Sequence, residues 1–112
     1  LLYRLDTGEV EAIEPPGLAA GVDKGPVFKR TVKDHRFTMS SGDILLLYTD
    51  GLIEMENRDA DEYGIDRLCD ALKRGAESSS EDLVRAITDD VVAFSQGMAQ
   101  TDDITLIAIE KR

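Results

Sequence analysis

Two stretches restrict this chain more than any others: ILLLYTDG over residues 44–51 and DDITLIAI over residues 102–109. Each holds a continuous apolar run too short for a full helix and rich in branched side chains. Such runs read as strands covered on both faces, because a half-solvated strand alternates apolar and polar residues instead. The first run ends on an acid, Asp50, and the second begins on two, Asp102 and Asp103. If the strands are antiparallel neighbours, the end of one lies beside the start of the other. The three carboxylates then gather at one rim of the sheet.

Anionic groups collected there repel one another and lose hydration, so the arrangement calls for a cation or for protonation. Hard oxygen ligands of this type suit Mg²⁺ or Mn²⁺. The competing reading is that Asp50-Gly51 and Asp102-Asp103 are ordinary turns, where Asp and Gly are common. Pattern alone leaves both open.

The rest of the chain sorts by period. Before residue 41, short apolar runs alternate with turn chemistry: LLYRL, DTGE, VEAI, EPPGLAAG, PVFKRTV, RFTM and SSGD. They read as short antiparallel strands, with Asp6-Thr7-Gly8-Glu9 as a hairpin turn that lets Gly8 take positive φ, and with Pro15-Pro16 closing the second strand. After Gly51 the segment LIEMENRDADEYG is polar and irregular. Ile65, Leu68, Cys69 and Leu72 then recur at helical spacing, predicting a helix that stops at Gly75. Ser78 to Ser80 supply an N-cap with Glu81 and Asp82 in the following turn. The second helix carries Leu83, Ile87, Val91 and Phe94 on one stripe, widened by Val84, and Gly97 ends it. The order predicts an α+β domain in which two helices pack on one face of antiparallel strands.

Composition narrows the function classes. A chain of 112 residues with 42% apolar and 32% charged residues is one globular domain at most. Acids outnumber bases 23 to 13, and no basic cluster forms, so nucleic acid is a poor partner. No run approaches the roughly 20 apolar residues of a membrane span. One cysteine, Cys69, permits no internal disulfide and suits a reducing, cytoplasmic setting. It lies on the first helix's apolar stripe, as a small core residue would. The single histidine, His35, sits in a basic stretch between predicted strands and has no cysteine near it in the pattern. Asp59, Asp61 and Gly64 match three positions of a calcium loop, but Tyr63 and Asp70 break the match at the fifth and twelfth positions.

Together, GDILLLYTDGLIEMEN, EYGIDRL, a second helix and TDDITLIAI resemble the C-terminal half of the metal-dependent serine/threonine phosphatases of the protein phosphatase 2C superfamily, in its bacterial SpoIIE/RsbU branch. LLYRLDTGEVEAIE is similar to a hairpin of that branch, so the likeness spans residues 1–112 as one partial domain. The resemblance implies half of a β-sandwich (PPM-type) phosphatase fold. It also implies a binuclear Mg²⁺ or Mn²⁺ centre in which Asp50 and Asp102 are ligands and Asp103 is a weaker one. Gly51 and Thr105 would support the site, Thr105 through its hydroxyl.

By the same likeness the reaction is in-line attack of water on phosphoserine or phosphothreonine of a protein, without a covalent enzyme intermediate. In this branch the substrate is commonly a phosphorylated anti-sigma factor antagonist of a partner-switching circuit. The family's earlier acidic motifs, G-D-F-Y-D and G-D-V-x-G-H-G, have no counterpart here. Two acids do not hold two metals, so the chain alone is expected to bind metal weakly and to turn over little or no substrate. Missing strands would leave apolar surface uncovered, and self-association is expected. The other reading is a non-catalytic interaction module derived from the same fold.

Overall fold

The computed structural model describes residues 1–17 and 25–112. Its centre is an antiparallel sheet of β1 (Leu2–Arg4), β2 (Glu9–Glu11), β3 (Ile44–Tyr48) and β4 (Leu106–Glu110), in the spatial order β2-β1-β3-β4. The helices are α1 (Pro26–Thr31), the single turn α2 (Asp50–Ile53), α3 (Gly64–Gly75) and α4 (Ser80–Ser95). The chain is therefore α+β, with α3 and α4 on one side of the sheet. No helix among the described residues is long and apolar enough to cross a membrane.

The hairpin forms where the turn chemistry puts it: Gly8 takes φ 69°, and β1 pairs β2 with Tyr3 opposite Val10. β2 stops at Glu11, ahead of Pro15. The turn read at EPPGLAAG lies in part outside the described residues. PVFKRTV is not a strand. Pro26 stands in the first helical turn, where its fixed φ is already helical and its missing N–H has no intrahelical role. Thr31 Oγ1 donates back to Val27 O at 2.8 Å, and Lys29 and Arg30 lie at the C-terminal end, where the helix dipole favours cations. RFTM joins no ladder either, and His35 and Phe37 lie exposed with their rings 6.1 Å apart.

Ile44, Leu46 and Tyr3 point toward the helices and meet Leu68, Leu72, Leu83, Ile87 and Val91, all at most 8% exposed. Gly75 is the last residue of α3, and a Cβ there would fall 2.5 Å from Leu83 Cδ1, so its absence lets α4 start tight against α3. Ser79 caps α4, its Oγ accepting from Asp82 N–H at 3.1 Å. The helix closes on Gln96 and Gly97, with φ of 52° and 83°. Tyr63 fills the gap between the loop and α4. Its ring meets Phe94 edge-on at 5.5 Å, and its hydroxyl donates to Asp90 Oδ2 at 2.6 Å.

The opposite face of the sheet departs from expectation. Leu47, Ile107 and Ile109 are 46%, 48% and 46% exposed, so that part of the face is open, whereas Leu45 and its neighbour Leu2 on the same face are partly and fully buried. The continuous apolar runs of β3 and β4 are explained on one face by α3 and α4, and on the other face no element among the described residues covers Leu47, Ile107 and Ile109.

At the sheet end away from the acids, Asp43 is 2% exposed and fully partnered. It accepts from Ser40 N–H at 2.9 Å and Leu5 N–H at 3.1 Å, and pairs with Arg4 Nη1 at 2.9 Å. Arg4 also donates to Glu11. A Cβ on Gly42, whose φ is 87°, would collide with Leu5. The bend before β3 is thus fixed by a partly buried ion pair and a glycine.

Candidate functional site

The β3–β4 register runs from Ile44 opposite Glu110 to Tyr48 opposite Leu106. This brings the end of the first apolar run beside the start of the second, as the sequence requires if the acids are to meet. Beyond the last strand pair the two segments stay joined through Thr49. Its N–H donates to Thr105 O at 3.1 Å, its Oγ1 donates to Asp103 O at 2.9 Å, and the same Oγ1 accepts from Thr105 N–H at 2.9 Å. One hydroxyl therefore substitutes for a ladder partner where the strands diverge. The expected support from Thr105 is present through its backbone; the hydroxyl that performs the clamping belongs to Thr49.

Past the clamp the chain turns into α2, and Asp50 is its first residue, where the dipole favours a carboxylate. The single turn is held by Glu54 N–H donating to Asp50 O at 3.0 Å. Gly51 follows and is buried. A Cβ at this position would lie 2.7 Å from Asp103 O and 3.2 Å from Asp102 Cβ. Gly51 is needed here for its size: only a hydrogen lets α2 rest on the backbone of the two later acids. Asp50 and Asp102-Asp103 thus share one rim of the sheet, with backbone in contact.

The later pair is ordered locally. Asp102 Oδ1 accepts from Asp103 N–H at 2.7 Å, and Gln100 Nε2 donates to Asp102 O at 2.8 Å. All three acids are exposed. Their oxygens are of the type a hard cation takes, yet among the described residues no group of three or more His, Cys, Asp or Glu is arranged to hold a metal ion. The donor set fits Mg²⁺ or Mn²⁺ in kind and falls short in number.

An open cleft of ≈ 380 Å³ lies beside Asp50, lined also by Ile13, Glu14, Leu46, Tyr48 and Ile53. Glu14 is an acid that sequence reasoning passed over, since nothing before the two prolines marks it. Burial first, then Glu14, Cys69 and Asp50, hold the Tyr48 phenol above its ordinary pKa, so Tyr48 enters the cleft as a protonated hydroxyl.

The remaining candidates take other roles. Cys69 is half-buried, and burial pushes its thiol pKa up, away from the thiolate a nucleophile needs. The 57–61 loop is organised by Asn57. Asn57 Oδ1 accepts from Asp59 N–H at 2.9 Å and from Asp61 N–H at 3.0 Å, while its amide donates to Asp61 Oδ2 at 3.3 Å.

Comparison with known proteins adds three findings. The family described as stage II sporulation protein E (SpoIIE) matches over residues 1–112. No curated protein matches the chain. Among solved structures the chain is similar to the SiaA-PP2C domain of Pseudomonas aeruginosa, with a TM-score of 0.62 at 22% identity over 65% of this chain. The similarity spans 30% of that structure's chain.

Proposed function

Because the chain belongs to the SpoIIE family and has the fold of part of a PP2C phosphatase domain, we propose that it contributes Asp50 and Asp102 to a divalent-metal site for phosphoester hydrolysis. Asp103 is the adjoining, weaker contributor. The observation that carries this reading is the seat of Gly51 against the Asp102–Asp103 backbone, which fixes acids from two distant segments at one rim. The substrate is a phosphoserine or phosphothreonine on a regulatory protein, an anti-sigma factor antagonist in a bacterial, cytoplasmic partner-switching circuit.

The chain's own residues set the positions of two or three carboxylates and supply Tyr48 as a neutral donor in the adjoining cleft. They do not complete a binuclear Mg²⁺ or Mn²⁺ centre, and no hydrolytic step is assigned to them alone. The chain by itself therefore has little or no phosphatase activity. The exposed apolar side chains of β3 and β4 support the second reading, an interaction module without chemistry.

Calorimetric titration of Mn²⁺ into the chain and into Asp50→Ala and Asp102→Ala separates the two. Weak binding lost in both variants supports the metal assignment; equal heats in all three refute it. A para-nitrophenyl phosphate assay with Mn²⁺ should give no significant turnover. Robust turnover abolished by Asp50→Ala would overturn the claim that the chain is incomplete.

A further inference from the structure

One segment of this acidic chain reverses the sign of the surface. Residues 29–36 hold Lys29, Arg30, Lys33 and Arg36 against a single acid, Asp34, in a chain whose formal charge is -10. All four bases are exposed, and among the described residues none of them enters an ion pair. Arg30 Nε donates to Pro26 O at 3.2 Å, which leaves the two terminal guanidinium nitrogens for a partner. Val32 and Phe37 stand among the bases, 40% and 39% exposed. Charge is thus combined with apolar anchors, as in protein interfaces that use Arg and Phe.

The segment is tied down at both ends. At its start Lys33 N–H donates to Pro16 O at 3.3 Å. At its end Arg4 Nη1 donates to Thr38 O and Lys111 Nζ to Met39 O, each at 2.7 Å. Between these ties residues 34–37 belong to no helix or strand, and every one of them is exposed. The first tie sets Lys33 near the candidate site, because Glu14, two residues before Pro16, lines the cleft beside Asp50.

On the reading of this chain as part of a phosphoprotein phosphatase, we infer that Lys29, Arg30, Lys33 and Arg36 dock the substrate protein through acidic residues flanking its phosphoserine or phosphothreonine. Carboxylates there accept charge-assisted hydrogen bonds from the bases, while the rim is left for the phosphoryl group itself. A basic patch on an otherwise acidic surface also orients the approach, since an acidic segment is repelled wherever else it lands. Nucleic acid is the other polyanion that bases attract. Four charges are fewer than the roughly 6–10 phosphate contacts of such binders, and the rest of the chain is acidic.

Fluorescence anisotropy in EDTA tests the docking apart from any metal. The probe is a labelled peptide with one phosphoserine flanked by glutamates, in low salt. It should bind the chain, weaken as salt rises, and weaken at least about tenfold in Lys33→Glu/Arg36→Glu, two exposed positions outside every helix and ladder. Arg58→Glu/Arg112→Glu changes the net charge equally at exposed positions elsewhere and should shift affinity by less than about twofold. Mn²⁺ calorimetry on Lys33→Glu/Arg36→Glu should match the parent, so a failed docking surface and a failed metal site leave separate signatures. No binding, equal weakening by the two double variants, equal affinity for a lysine-flanked phosphoserine peptide, or equal affinity for an oligonucleotide of the same charge would each overturn the inference.

Discussion

Adding one methyl group at Gly51 tests how the acidic rim is assembled. In Gly51→Ala the new Cβ falls 2.7 Å from Asp103 O and 3.3 Å from Asp102 C. An unstrained carbon contact is about 3.5–4.0 Å, so backbone on one side must retreat by roughly 0.8 Å or more. The obstructing atom is a carbonyl, and the Thr49 hydroxyl holds it at 2.9 Å. Overpacking of this type costs about 1–3 kcal/mol, while alanine's better helix propensity returns at most about 1 kcal/mol in a helix of one turn. The expected net loss is about 1–2 kcal/mol.

Urea unfolding followed by circular dichroism should then show a midpoint lower by about 0.5–1 M at unchanged slope. Thr49→Val, which removes a hydroxyl with two 2.9 Å bonds, should itself cost about 1–2 kcal/mol. The informative quantity is the double variant. With the clamp gone the Asp103 carbonyl can move aside, so the combined loss should fall short of the sum by about 0.5 kcal/mol or more. A Gly51→Ala protein as stable as the parent, or strict additivity with Thr49→Val, would refute the argument that close approach fixes the rim.

Two other expectations concern regions away from the acids. Tyr63→Phe keeps the edge-on contact with Phe94 but removes the 2.6 Å bond to half-exposed Asp90, so thermal or urea unfolding should register a loss of about 1 kcal/mol. The Asp43 carboxyl is held below the usual carboxylate range, chiefly by the Ser40 N–H, against the opposing effect of burial and with help from Arg4. Its stabilising contribution is therefore complete above the unfolded value of 3.8 and disappears as pH falls through the lower folded value. An acid titration of stability should lose this component below about pH 4 in the parent but not in Asp43→Asn.

Local signals carried most of the architecture. The spacing of Leu68 and Leu72, and of Leu83, Ile87 and Val91, located both long helices, and Ser79 and Gly8 mark their cap and turn by side-chain chemistry that acts within a few residues. The reading failed where context decided the outcome. PVFKRTV has the β-branched and aromatic content of a strand, yet Pro26 starts a helical turn. The runs at 44–48 and 104–109 imply burial on two faces, whereas the described residues cover one fully and leave Leu47, Ile107 and Ile109 of the other exposed. At the site, the acids announce themselves beside their strands, but the Thr49 clamp and the nearness of Glu14 to Asp50 arise from tertiary contacts that leave no trace in spacing.

The Thr49–Asp103 bond joins residues 54 positions apart. Closing a segment of that length is entropically unfavourable, and here the β3–β4 ladder with α3 and α4 between its strands must offset it before one hydroxyl can hold the ends. The acidic rim is accordingly a late event in folding. During synthesis at about 5–20 residues per second, Asp50 precedes Asp102 by about 3–10 s, and in that interval β3 lacks the neighbour that completes the rim. Any cation-binding capacity the rim has is withheld until the final strand is in register, so a nascent or truncated chain ending before β4 displays the first acid without the second.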